Sequence, residues 1–221
     1  DTSYIMVQVR NTDKFVQVFY DEFPQDVDEL LDLLRAEVPP LNIWHKFAVE
    51  YYRQGNKSNF RRILEEASDN FSEFAEQPDL DPKEFEKSRL EVLNAICADF
   101  ILQFIEEKDQ DHVEKIKEQV LKYLGQADRI NAVFTGTWCC KALFEMADGK
   151  ADNAKYWADT VAKQEKKEFG MNIPATLVRA CTMFHAKDWE GALKQYEDVL
   201  KAQPNCNASV RVGIGLCCAR L

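Results

Sequence analysis

The spacing of hydrophobic positions changes early in the chain. Residues 4–20 alternate, with Ile5, Val7 and Val9 before Asn11-Thr12-Asp13-Lys14 and with Val16, Val18 and Tyr20 after it. A period of two aims one face of a strand at apolar surroundings, and the polar tetrad has turn chemistry, so residues 1–24 are expected to form a β-hairpin segment. Asp26 then offers an N-cap, with Glu29 three residues on and Leu30, Leu31, Leu33 and Leu34 behind it. This predicts a capped amphipathic helix that ends at Pro39-Pro40. From there to Leu221 almost every segment has helical period.

A two-helix unit recurs within that helical stretch. Trp44, Phe47, Ala48 and Tyr51 are followed by Gln54-Gly55-Asn56 and then by Phe60, Leu64 and Ala67. Trp138 and Ala142 repeat the register, with Gly149 in the turn and Ala154, Ala158 and Val161 beyond. A third copy runs through Ala180, Met183 and Phe184, turns at Lys187-Asp188-Trp189, continues with Ala192, Tyr196 and Val199, and closes at Pro204. In each copy twelve residues separate the small residue of the first helix from its counterpart in the second: 48 to 60, 142 to 154 and 180 to 192. A small residue where antiparallel helices cross lets the backbones approach, and stacking covers the apolar face that a single pair leaves bare. A degenerate unit fits between the first two. Its first helix is expected to start at an Asp81 cap with Pro82 and Glu84, and to run through Leu90, Leu93, Ile96, Cys97, Phe100 and Ile101, with Ala127 in the second.

These spacings match the tetratricopeptide pattern. The expected fold is therefore all-α, a right-handed superhelical tetratricopeptide-repeat solenoid with a short N-terminal β-hairpin. Residues 25–221 would hold about four helix pairs plus the first helix of another. Two regions break the period: an acidic insertion at 68–82 with Phe71, Phe74 and Leu80 interleaved, and the charged helix end Lys163-Gln164-Glu165-Lys166-Lys167. After Pro204, Val210 to Leu221 reads as a further first helix with Gly215 in the small-residue slot. A solenoid that stops inside a pair, in a chain that opens on Asp1, is expected to be truncated at its C-terminus and to continue in a longer protein.

Charge narrows the classes of partner. The chain carries 38 acidic and 28 basic residues, net −10. Residues 1–111 hold 25 acidic against 12 basic (−13), and residues 112–221 hold 13 against 16 (+3). Direct nucleic-acid binding draws on a concentrated basic surface, so none is expected. No stretch approaches the ~20 apolar residues of a membrane span, and no membrane association is expected. Seven cysteines with two adjacent pairs do not form a disulfide framework, and a reducing compartment is expected despite the Asn-x-Ser triplets at Asn56, Asn70 and Asn207. Nucleophile elbows, phosphate loops, paired metal-ligand motifs and Cys-x-x-Cys are all missing, and His45, His112 and His185 fall in different repeats. No catalytic residue, metal, cofactor or small-molecule ligand is expected, and an enzyme is not.

In stacked helix pairs the first helices line the inner wall. Positions three before, one after and four after each small residue face it: His45, Val49 and Tyr52, then Cys139, Leu143 and Met146, then Leu177, Cys181 and Phe184. Arg53, Lys46 and Arg179 stand at the rim. One reading buries this mainly apolar stripe under neighbouring helices of the stack. The other leaves it as a groove for an extended or helical segment of another protein. The slots that hold a terminal carboxylate in chaperone-tail clamps carry no Lys, Arg or Asn here.

At the level of whole segments the sequence resembles one family, the large tetratricopeptide subunits of the RNA polymerase II-associated factor complex, the Paf complex. The resemblance is carried by Asp28-Glu29-Leu30-Leu31-Asp32-Leu33-Leu34-Arg35-Ala36-Glu37, Pro40-Leu41-Asn42-Ile43-Trp44 and Glu50-Tyr51-Tyr52-Arg53-Gln54-Gly55. Lys187-Asp188-Trp189-Glu190-Gly191-Ala192-Leu193 and Ser209-Val210-Arg211-Val212-Gly213-Ile214-Gly215-Leu216-Cys217 carry it at the far end. It implies a nuclear, non-enzymatic scaffold that receives the name-giving subunit and other subunits of the complex, acting in transcription elongation and the histone modification coupled to it. A repeat adaptor of a trafficking or chaperone pathway is the alternative. The partner-binding residues expected are His45, Val49, Tyr52, Arg53, Cys139, Leu143, Met146, Leu177, Cys181 and Phe184, with the edge of the hairpin as a second candidate through strand addition.

Overall fold

The computed structural model describes residues 3–77, 80–165 and 171–221. The alternating segment forms the antiparallel strands β1 (Tyr4–Gln8) and β2 (Phe15–Phe19), registered with Ile5 opposite Val18 and Val7 opposite Val16. Ile5 and Val7 are buried, while Tyr4, Met6 and Phe15 on the other face are exposed, as a two-faced hairpin requires. The turn is held by Val9 N–H donating to Lys14 O at 2.8 Å and by the Thr12 hydroxyl donating to Val9 O at 3.0 Å. Arg10 N–H donates to the Glu37 carboxylate at 2.6 Å, which ties the turn to the next helix.

The chain divides into two units, Asp1–Asp99 and Phe100–Leu221. In the first, α1 (Val27–Glu37) starts at the expected cap, where the Asp26 carboxylate accepts from Asp28 N–H. It ends at Val38, in a left-handed conformation just before the two prolines. α2 (Leu41–Arg53) and α3 (Lys57–Asp69) form the first pair, joined at Gly55 with φ +85°. Ala48 and Phe60, the two ends of the twelve-residue spacing, are both buried. The Tyr51 hydroxyl donates to Pro24 O at 2.7 Å, and the Gln54 amide donates to Tyr20 O at 2.8 Å, so α2 anchors the exit of the hairpin.

The acidic insertion continues α3 with a five-residue helix, α4 (Phe71–Ala75). Phe74 is buried edge-on against Trp44, with ring centroids 5.6 Å apart, and the Gln77 amide donates to Val38 O at 2.8 Å. Residues 78 and 79 of the insertion lie outside the described residues. α5 (Pro82–Glu106) begins at the Asp81 cap, and its residues up to Asp99 belong to the first unit. Every apolar position expected on it is buried, and so is Val92, so α5 is enclosed on more than one side. The sequence pattern did not flag Asp99. Its carboxylate, 2% exposed, accepts from Arg61 Nη2 at 2.7 Å and Nε at 2.8 Å, a buried ion pair between α3 and α5.

In the second unit the rest of α5 meets α6 (Gln110–Ile130) through the stacked rings of Phe100 and Tyr123. α7 (Thr135–Ala147) and α8 (Ala151–Glu165) form the next pair, and α9 (Ile173–His185) and α10 (Trp189–Ala202) the one after, with α11 (Ala208–Cys218) against α10. Ala142, Ala154, Ala180 and Ala192 are all fully buried. Seven residues beyond each first-helix small residue the backbone turns left-handed: Gly55, Gly149 and, in the third copy, Lys187 at φ +65°. Lys166 and Lys167 of the charged helix end lie outside the described residues.

One expectation about α11 changes. The glycine at the close contact is Gly213, where a Cβ would stand 2.8 Å from the Tyr196 ring; a Cβ on Gly215 would meet nothing within 4 Å beyond its own helix. The two positions are separated by roughly 200° around a helix, and it is the Gly213 side that faces α10.

Candidate partner-binding faces

The face of α2 is mixed in chemistry. His45 and Val49 are half-buried, whereas Tyr52 and Arg53 are exposed. Burial pushes the His45 imidazole below its ordinary pKa, and the nearby Glu91 carboxylate on α5 opposes that shift. The Tyr52 ring leans on Phe60 of α3, centroids 5.1 Å apart. Arg53 reaches Glu50 at 3.5 Å, a loose pair one turn away on the same helix. Lys46 is exposed.

In the second unit the corresponding faces lie on two neighbouring first helices, α7 and α9. Cys139, Leu143 and Met146 on α7, and Leu177, Cys181 and Phe184 on α9, are all half-buried and none is charged. Cys139 packs beside Trp138, Val161 and Ala175. Leu177, Cys181 and Phe184 pack on the cluster of Ala180, Ala192, Tyr196, Val199, Val210 and Cys217. The Cys181 thiol shares a hydrogen bond with the Tyr196 hydroxyl at 3.3 Å; burial and that bond push the Tyr196 phenol far up, so it stays protonated. Phe184 meets Trp189 edge-on at 4.8 Å. Cys139, Leu177, Cys181 and Phe184 are thus held in place by the clusters beneath them while part of each surface remains open, the condition for a pre-formed apolar contact.

Arg179 at the rim is engaged within its own unit. Its Nη1 donates to Gln195 Oε1 at 3.3 Å and its Nε lies 3.7 Å from Asp159, so α8 and α10 engage it. The three histidines stand on α2, α6 and α9, and among the described residues no group of three His, Cys, Asp or Glu gathers about a point. No disulfide is formed among them either. Among the described residues no helix is long and apolar enough to cross a membrane.

Comparison with known proteins gives the following. No family model matches the chain. It is 33% identical over 220 residues, 96% of its length, to Protein CTR9 homolog of Arabidopsis thaliana. It is 25% identical over 224 residues, 100% of its length, to RNA polymerase-associated protein CTR9 of Caenorhabditis elegans. It is 27% identical over 216 residues, 93% of its length, to Tetratricopeptide repeat protein 1 of Schizosaccharomyces pombe. Each alignment takes in 19% of the relative, so the chain spans about a fifth of the length of these curated proteins. Among solved structures, a thermophilic TPR protein of Thermus thermophilus matches with a TM-score of 0.52 at 16% identity, over 81% of this chain and 99% of that one. That likeness establishes the tetratricopeptide fold.

Proposed function

The chain is a relative of the CTR9 tetratricopeptide-repeat proteins over nearly its whole length, and on that premise we propose that it is a non-enzymatic scaffold segment. It receives a partner polypeptide in assembly of the Paf complex, in the nucleus, during RNA polymerase II elongation and the histone modification linked to it. The partner is the subunit for which the complex is named. The observation that carries this reading is the uncharged, half-buried surface on α7 and α9, where Leu143, Met146, Leu177 and Phe184 remain partly open on adjacent helices. Apolar area of this kind is stabilised when a partner covers it, and helical or extended segments are the usual occupants. The α2 face, with His45, Val49, Tyr52 and Arg53, is a second, more polar contact.

Co-expression with the N-terminal segment of the name-giving subunit tests the reading. The two should co-elute, and a variant carrying Leu143→Asp and Leu177→Asp should lose co-elution while keeping its helical circular dichroism. Retained co-elution by the folded double variant would remove α7 and α9 as the seat, and point to the hairpin edge or the outer helices.

A further inference from the structure

β1 lies against α2 with Ile5 and Val7 buried, which leaves β2 as the outer strand of the hairpin. Val9 N–H donates to Lys14 O and Tyr20 N–H donates to Ser3 O, so Lys14 and Tyr20 turn their backbone groups toward β1. The period of two turns Val16 and Val18 the same way, and Phe15, Gln17 and Phe19 present their N–H and C=O groups along the outer edge. Among the described residues nothing bonds to those outward groups. A free edge is a template for another strand, and proteins that keep one closed place charge, proline or a bulge on it. β2 has none of the three: it reads Phe15-Val16-Gln17-Val18-Phe19, in unbroken register with β1.

That segment is the same read in either direction, with Gln17 at its centre. If two copies of β2 run antiparallel about a two-fold axis through Gln17, outward residues meet outward residues: Gln17 meets Gln17 and Phe15 meets Phe19. Each such pair exchanges both backbone hydrogen bonds, and no outward group is left over. The side chains match too. Phe meets Phe on one face and Val meets Val on the other, the aromatic and β-branched cross-strand pairs that stabilise sheets. Before pairing, Phe15 is 52% and Val16 37% exposed. Tyr4, Met6 and Gln8 of β1 share a face with Phe15, Gln17 and Phe19, and none of the six is charged, so the joined hairpins form one continuous uncharged face. The strand ends are complementary in charge. The turn holds Arg10, Lys14 and Asp13, net +1, and the exit holds Asp21 and Glu22, net −2. Antiparallel pairing sets the turn of each copy beside the exit of the other.

We propose that β2 pairs antiparallel with β2 of a second copy of this chain, giving a two-fold dimer with a four-stranded sheet across its interface. The site lies in the first unit and does not depend on the faces of α7 and α9. Sedimentation equilibrium of the 221-residue chain should show the mass rising from one chain toward two between about 10 µM and about 1 mM, the range of a small interface. Over that range amide exchange should slow about fivefold at Phe15, Gln17 and Phe19 and stay unchanged at Val16 and Val18, which already bond to β1. Gln17→Pro removes an outward N–H and spares the ladder to β1, and Phe15→Lys puts a charge on the edge; both should remain monomeric at about 1 mM. Leu216→Lys, on the exposed side of α11, should dimerise as the parent does. A single-chain mass at the highest concentration would overturn the proposal. So would growth beyond two chains, undiminished dimerisation of the Phe15→Lys variant, or equal loss in Leu216→Lys, which would place self-association on α11.

Discussion

The same repeat positions carry different surfaces in the two units. On α2 the stripe runs from a half-buried histidine beside Glu91 to an exposed tyrosine and arginine, and only Val49 is aliphatic. On α7 and α9 it is six uncharged, half-buried residues on neighbouring helices, of which Cys139, Leu177, Cys181 and Phe184 pack on the clusters beneath. The interiors differ in how deeply an acid is buried. The first unit holds Asp99, 2% exposed and paired with Arg61, whereas the paired acids of the second, Asp128 with Lys141 and Asp148 with Lys117, keep 35% and 14% of their side-chain surface. Repeat position decides which way a side chain faces; the neighbouring helix decides whether that direction is core, rim or open surface.

The sharpest way to break this contrast is to remove one partner of each ion pair. Arg61→Met removes a cation from the buried Asp99 carboxylate and should destabilise the chain by about 3 kcal/mol in urea unfolding. Lys141→Met, which frees the better-hydrated Asp128, should cost about 1 kcal/mol or less. Equal losses would mean that the first unit is not distinguished by burial of charge. Next in size are the glycines of α11. Gly213→Val drives a branched side chain into the Tyr196 ring and should destabilise by roughly 1–3 kcal/mol, whereas Gly215→Ala should be neutral or stabilise by up to ~1 kcal/mol through helix propensity. Thermal melts of the pair read out which glycine occupies the close contact.

A smaller effect is expected at the turns. Lys187 occupies the left-handed position that glycine fills at Gly55 and Gly149, so Lys187→Gly should raise stability by roughly 0.5–1 kcal/mol. No gain in the urea midpoint would show that the lysine is unstrained there. The smallest is a pH dependence confined to the first unit. Because the folded state holds His45 below its ordinary pKa, the unfolded chain takes up that proton first as pH falls. The stability that goes with the neutral ring is thus present above about pH 6.5 and is lost as the solution is acidified below it. His45→Gln should lose less stability than the parent chain between about pH 7.5 and 5.5, and parallel losses would assign the pH dependence to other groups.

Much of this architecture could be read along the chain, and particular residues show why. The twelve-residue spacing survives because it joins two positions at one helix crossing, and five of its six ends are alanine. The hairpin was legible from alternation, and the starts of α1 and α5 from Asp26 and Asp81. Features that depend on the identity of a distant neighbour were not. Asp99 looks like a surface carboxylate until Arg61 is brought against it from α3. Gly213 and Gly215 are equivalent in sequence and are separated only by where the Tyr196 ring lies. The described start of the insertion packs down because Phe74 finds Trp44, a contact between residues thirty positions apart. As for the candidate faces, stepping from each small residue located side chains at the margin of a crossing, and all ten are half-buried or exposed. Nothing in the spacing revealed the bond between Cys181 and Tyr196.

The central claim is that the surface on α7 and α9 is covered when the partner binds, and two native thiols report on it directly. Cys139 and Cys181 lie on these faces, while the exposed Cys218 lies on α11 and serves as an internal reference. Alkylation rates should be measured residue by residue by mass spectrometry, with the chain alone and saturated with the N-terminal segment of the name-giving subunit. The account predicts that Cys139 and Cys181 slow by about tenfold or more on binding while Cys218 does not change. Unchanged rates at Cys139 and Cys181 in a complex that has demonstrably formed would contradict it.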